Sequence, residues 1–187
     1  MDITIKEEPR FNEIIEVSIH SGITPDDVDT LLDMAASSGL FASDLMMSTE
    51  DMAWDSAYSD GNEPHIFLKA TYSTTGENRT AGFICFGPID RWDGYYELYG
   101  IAVDPACQRL GIGSALLSEM IRQITVAGGK GIFLETGGGR SFENARLFYE
   151  ANGFTQETRF HKQFIPSAGD VVYRFDIDTD GKEEQQQ

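Results

Sequence analysis

The chain of 187 residues is poor in cysteine, in basic side chains and in long apolar runs, and each shortage removes a class of function. Its two cysteines, Cys85 in a strand-like stretch and Cys107 in a loop, are too few to staple a secreted scaffold. They are expected as free thiols, with a reactive Cys107 as the lesser alternative. Lys and Arg together number 14 against 31 Asp and Glu, a formal charge of −17. Phosphate backbones and anionic membranes are held chiefly by Lys and Arg, so neither is an expected partner. A cationic small molecule is the more natural guest, although acidity also serves solubility. No apolar run approaches the roughly 20 residues of a membrane helix, and the opening "MDITIKEEPR" is acidic where a secretory signal is basic and then apolar. A cytoplasmic protein is expected. His20, His65 and His161 stand apart, so no zinc set is visible and no metal is expected. "DIDTDG", 176 to 181, opens like a calcium loop, but its twelfth position is Gln187 with no second helix after it, and it reads as an acidic strand end.

What is present fits one compact domain over residues 1–178, followed by a disordered acidic and Gln-rich tail over 179–187. "IIEVSIH" is rich in β-branched residues and reads as a strand. Thr24-Pro25-Asp26-Asp27 is a helix start; Val28, Leu31, Leu32 and Ala35 follow at helical spacing, and Gly39 ends the element. A second helix spans roughly 42 to 60, with Met46, Met47, Met52 and Trp54 read as core. "HIFLKATY" and "AGFICFG" flank a polar turn and form a hairpin, and "YYELYGIAV" is a further strand. A helix from 111 to about 127 carries Leu116, Leu117, Met120, Ile121 and Ile124. "GIFLET" is a strand, 141 to 152 a helix, and "FTQETRFHKQF" with "DVVYRFDI" a closing hairpin.

Directly after "YGIAV" comes "QRLGIGSALL", which places Gly111 and Gly113 at the mouth of a helix that each weakens by roughly 1 kcal/mol relative to alanine. The first amides of a helix have no intrahelical partner and favour an anion, phosphate above all. Bare glycines let such a ligand approach, and Arg109 adds a formal charge. The spacing is neither a P-loop, since no Gly-Lys-Ser/Thr follows, nor the dinucleotide fingerprint, which needs a third glycine where Leu116 stands.

"IAVDPACQRLGIGSALL" resembles the acyl-CoA-binding motif of the GNAT superfamily of N-acyltransferases, with Gln108, Gly111 and Gly113 filling its pattern. "NARLFYEANGF" is similar to the second signature of that superfamily, with Tyr149 and Gly153-Phe154 in register. The resemblance covers about residues 12 to 178. It implies an α/β (α+β) fold with a central, mixed, mostly antiparallel sheet of six to seven strands, about four flanking helices, and a splay between strands 95–103 and 131–136. It also implies acetyl-CoA as cosubstrate: Ile101 and Val103 pair with the pantetheine arm, the amides of Arg109, Leu110, Gly111, Ile112, Gly113 and Ser114 hold the pyrophosphate, and Gln108 is a further cofactor contact. Transfer to an amine needs a base to remove a proton and an acid for the leaving thiolate. The resemblance implies Tyr149 as the acid. For the base it offers Glu97, among aromatic neighbours that raise a carboxyl pKa by desolvation, and Glu135, with Glu97 preferred.

Two features depart from the family pattern. The position seven before the tyrosine, often Asn in relatives, is Phe142, so the pantetheine contact falls to Asn144. The loop "TGGGRS" is slightly longer than usual, and Arg140 beside it is either a cofactor contact or solvated. The acids of the second helix, Asp44, Glu50, Asp51, Asp55 and Asp60, point to a cationic amine acceptor. A non-catalytic acyl-CoA-binding module is the alternative to an enzyme, and a homodimer through the terminal strands rests on analogy alone.

Overall fold

Apolar residues alternate along the strands and repeat at three and four along the helices, and this division of periods sets the layers. The structure is a computed structural model that describes residues 2–5, 15–61, 64–74, 77–159 and 161–178. Among these lie eight strands: β1 (Asp2–Ile5), β2 (Ile15–Ser21), β3 (Ile66–Thr74), β4 (Glu77–Pro88), β5 (Tyr95–Val103), β6 (Gly131–Gly137), β7 (Thr155–Glu157) and β8 (Asp170–Asp176). Four helices accompany them: α1 (Pro25–Ser38), α2 (Ser43–Tyr58), α3 (Ile112–Val126) and α4 (Glu143–Ala151). The strand order is β1-β2-β3-β4-β5-β6-β8-β7. The expected class therefore holds, with one strand more than the six or seven anticipated, because β1 pairs antiparallel with β2. The acidic tail and the second half of "DIDTDG" lie outside the described residues.

The chain divides into two compact units, Met1–Phe86 with Tyr99–Met120, and Gly87–Leu98 with Ile121–Gln187. In the first, β2, β3 and β4 form an antiparallel array. Phe67, Phe83, Cys85 and Ala102 face α1 and α2, packing on Val28, Leu31, Met34, Ala35, Met52 and Ala53. The helix start is fixed locally: the Thr24 amide donates to Asp27 Oδ2 at 2.8 Å, and Gly39 ends α1 at φ 68°. Met34 joins the buried stripe, while Leu32 is only half-buried. Met47, expected in the core, is 64% exposed, because α2 turns Thr49, Met52 and Ala53 inward and leaves Met47 on the far side. A Cβ on Gly82 would lie 2.9 Å from the Ala102 carbonyl and 3.3 Å from both Leu116 and Val103, so this glycine is a packing requirement of the β4, β5 and α3 contact.

In the second unit, β5 and β6 run parallel, in register from Tyr95↔Gly131 to Glu97↔Phe133. Beyond that point Tyr99–Val103 and Leu134–Gly137 fall into different units. β8 pairs antiparallel with β6 over seven residues and with β7 over three. The closing hairpin is thus shorter on its first side than the sequence implies. After Glu157 the chain leaves the sheet and makes a tight turn bridged at His161↔Phe164, which sets Phe164 against Phe133 with ring centroids 5.5 Å apart.

Candidate functional site

The glycine motif lies in the first unit. Asp104 leaves β5 by donating its amide to Ala81 O at 2.9 Å, and its carboxylate accepts from the Ala106 amide at 2.8 Å. Pro105–Cys107 make one 3-10 turn, and Gln108 Nε2 reaches back to Val103 O at 3.3 Å. Two residues then enter the left-handed region, Arg109 at φ 68° and Gly111 at φ 78°. Left-handed residues interleaved with right-handed ones turn successive amides toward one concavity, which suits an anion. A Cβ on Gly111 would touch nothing within 4 Å, so its requirement is conformational rather than steric. Gly113 differs, since it sits inside the first turn of α3 with Ser114. Ile101 and Val103 are half-buried on β5 around the buried Ala102, while Leu110 is half-buried and Ile112 buried.

The surroundings of Cys107 disfavour a thiolate. The side chain is buried, and desolvation together with the Asp104 charge raises its pKa, although a hydrogen bond with Tyr72 opposes this. Both cysteines are free, as expected.

The three proposed catalytic residues lie in the second unit. Register decides which face each occupies, because side chains alternate along a strand. Glu97 aligns with Phe133, and Glu135 follows two residues later on β6, so both carboxylates share a face with Phe133. Arg174 and Val172 of β8 share it too, with the Arg174 guanidinium 5.7 Å from the Phe133 ring centre. Burial pushes the Glu97 carboxyl up to about 7, and the charge of Glu135 adds to the rise. Glu135 has different partners: its Oε2 accepts from the Ser167 amide at 2.9 Å and its Oε1 from the Ser167 hydroxyl at 3.1 Å.

Tyr149 approaches from the opposite face. It is buried on α4, 6.3 Å from the Tyr173 ring and 5.9 Å from that of Phe154. Desolvation raises its pKa well above the ordinary tyrosine value, so it carries its proton at neutral pH. Tyr173 is a neighbouring phenol, but its hydroxyl is committed to Glu150 Oε1 at 2.6 Å.

Phe142 has its own explanation. A Cβ on Gly137 would lie 2.3 Å from the Phe142 ring, so the aromatic packs closely on the bare end of β6. Arg146 holds the same corner through the carbonyls of Gly137 at 2.5 Å and Gly139 at 2.9 Å. Asn144 is exposed near the start of α4, and Arg140 is exposed in the short turn before it. The sequence gives no sign of Ser167, Tyr72 or Arg146, whose roles arise from contacts 7 to 35 residues away.

Among the described residues no group of three or more His, Cys, Asp or Glu could hold a metal ion, and no helix is long and apolar enough to cross a membrane. Asp176, first of the calcium-like series, accepts from Arg174 Nε at 2.6 Å.

Residues 65–156 match the family model described as an acetyltransferase (GNAT) domain. A search of curated proteins returns no match. A GNAT-family protein from Desulfovibrio desulfuricans is 29% identical, with a TM-score of 0.73 over 86% of this chain and 98% of that one. A GNAT-family acetyltransferase from Staphylococcus aureus is 21% identical over 86% and 98%, with a TM-score of 0.67. The PaiA N-acetyltransferase from Thermoplasma acidophilum, solved with coenzyme A, is also 21% identical over 86% and 99%, with a TM-score of 0.66. The motif at 108–114, the Tyr149 signature and the strand order agree with this match of residues 65–156 to the acetyltransferase (GNAT) domain.

Proposed function

We propose that the protein is an acetyl-CoA-dependent N-acetyltransferase that acts on a primary amine of a cationic acceptor. The observation that carries this reading is Glu97, a carboxyl whose pKa of about 7 suits a general base at neutral pH. The left-handed residues Arg109 and Gly111 and the amides that open α3 receive the pyrophosphate of the cosubstrate. A protonated amine, with a pKa of roughly 10 for a lysine-like group, cannot attack. Glu97 takes a proton from it, the nitrogen lone pair adds to the thioester carbonyl, and the carbon–sulfur bond breaks as the tetrahedral adduct collapses. The departing thiolate takes the phenolic proton of Tyr149, the nitrogen gives up its second proton as it becomes the amide and so restores the phenol, and Glu97 releases the first proton to solvent. The relative from Thermoplasma supports the cofactor assignment through its bound coenzyme A. The exposed acids of α2, Asp44, Glu50, Asp51 and Asp55, support a cationic acceptor.

The test is calorimetric titration with acetyl-CoA, followed by thiol release against a panel of amines. Tight binding with release for cationic amines is expected. Tyr149→Phe should lower kcat by about 10²-fold or more while leaving acetyl-CoA affinity in place. Binding without release by any amine would replace the enzyme with a non-catalytic acyl-CoA-binding module.

A further inference from the structure

Glu97 and Glu135 are both carboxylates on one face of adjacent strands, yet the structure gives them different surroundings. Both oxygens of Glu135 are taken by Ser167, through its amide and its hydroxyl. Ser167 begins a turn closed by the Asp170 amide on the Ser167 carbonyl at 3.1 Å, and the Gly138 amide, just past β6, donates to Gly169 O at 3.0 Å. The turn is therefore fastened to β6 twice, once by backbone and once by Glu135. We propose that Glu135 is a positioning residue rather than the base: it pins the Ser167–Asp170 turn to β6 and presents a fixed negative charge to Glu97, which alone removes the amine proton. The proposal rests on the acetyltransfer reading above.

The charges of this face support that division. Arg174, the cation on it, is engaged by Asp176 and by Glu157, the latter at 3.5 Å. Glu157 also accepts from the Arg159 amide at 2.7 Å and pairs with His161 at 3.2 Å. The charge that acts on Glu97 is that of Glu135. A carboxylate anchored at both oxygens keeps its negative end in one place, whereas a mobile one is screened by water.

Two variants separate charge from anchoring. Glu135→Gln removes the charge and keeps an acceptor for the Ser167 amide; Ser167→Ala keeps the charge and removes one bond. The midpoint of Glu97 is read directly by carbon NMR titration of glutamate-labelled protein, assigned with Glu97→Gln. In parallel, kcat/KM against pH is measured with an amine that the wild type acetylates. Glu135→Gln is expected to lower the Glu97 midpoint by roughly half a unit or more, as for a like charge several ångströms away at moderate dielectric. The acid limb of the rate profile should move to lower pH by the same amount. Ser167→Ala loosens the anchor but keeps the Ser167 amide bond, so it should lower the Glu97 midpoint by a smaller amount than Glu135→Gln does. An unmoved midpoint in Glu135→Gln would overturn the proposal, as would loss of turnover at every pH in Glu135→Gln with turnover retained in Glu97→Gln. Absence of thiol release by the wild type is a different outcome, which overturns the acetyltransfer reading itself.

Discussion

Replacing Glu97 by Gln should make the protein more stable while removing its base. The carboxyl has a folded-state pKa of about 7 against an ordinary value of 4.5, chiefly through burial and then through Glu135. Between these values the folded state holds a proton that the unfolded chain releases, so stability falls as pH rises from about 4.5 to about 7 and is level above. At about 1.4 kcal/mol for each pH unit, the rise sets a ceiling of about 3 kcal/mol on the penalty at pH 8. Glutamine imitates the neutral acid in shape and charge, so the variant escapes the penalty. Urea denaturation at pH 4 and pH 8 is the assay. Near pH 4 the two proteins should match within about 0.5 kcal/mol, and at pH 8 the variant should be more stable by about 1–3 kcal/mol, or several degrees in Tm for a chain of this length. The same variant should lose its base-dependent turnover, so stability and activity move in opposite directions. Equal destabilisation at both pH values would refute the reasoning, because it would mean that Glu97 is charged in the folded protein and is satisfied by partners.

Three further outcomes test the frame around the site. Gly111→Ala forces alanine to φ 78° in open space, so it should cost about 1–2 kcal/mol by thermal melting and weaken acetyl-CoA binding in calorimetry as the loop relaxes away from its left-handed turn. Gly82→Ala drives a methyl to 2.9 Å from the Ala102 carbonyl, and a loss of about 1–3 kcal/mol in urea is expected even though no functional side chain is altered. Asp27 resists protonation: burial opposes its charge, but hydrogen bonds from Lys69 and Thr24 outweigh that and hold its carboxyl below the ordinary value. Asp27→Asn should therefore cost about 1–2 kcal/mol at pH 7, and the difference from wild type should fade as acid denaturation is followed below about pH 4.

Local chemistry made part of this structure readable from sequence. Thr24, Pro25 and Asp27 start α1 through bonds that span three residues, and Gly39 ends it by a conformation of its own. The loop after β5 was readable for the same reason at Gly111, whose left-handed φ is a glycine property. It was not readable at Arg109, which adopts nearly the same φ with no residue-type signal to announce it. Met47 was misplaced because methionine is apolar in any setting, and only the packing of α2 on α1 decides which of Met46, Met47 and Met52 points inward. The run after Phe154 has the composition of a long strand. It breaks after Glu157 because His161 and Phe164 are needed against Phe133, a demand made by residues about 30 positions earlier.

The two glutamates show where sequence reasoning stops. Each sits in a strand rich in apolar and aromatic residues, and nothing within five positions of either distinguishes an acid from an anchor. The distinction comes from what crosses over each one. Glu135 receives two hydrogen bonds from a serine 32 residues away, which satisfy its charge and fix it in place. Glu97 has burial, and the fixed charge of Glu135 on the next strand, as the forces on its proton. A carboxylate held by desolvation and a like charge binds a proton near neutral pH, which is the property a base for an amine requires. On the roles proposed above, the same side chain two strand positions apart has opposite uses, and the turn at Ser167 is what separates them.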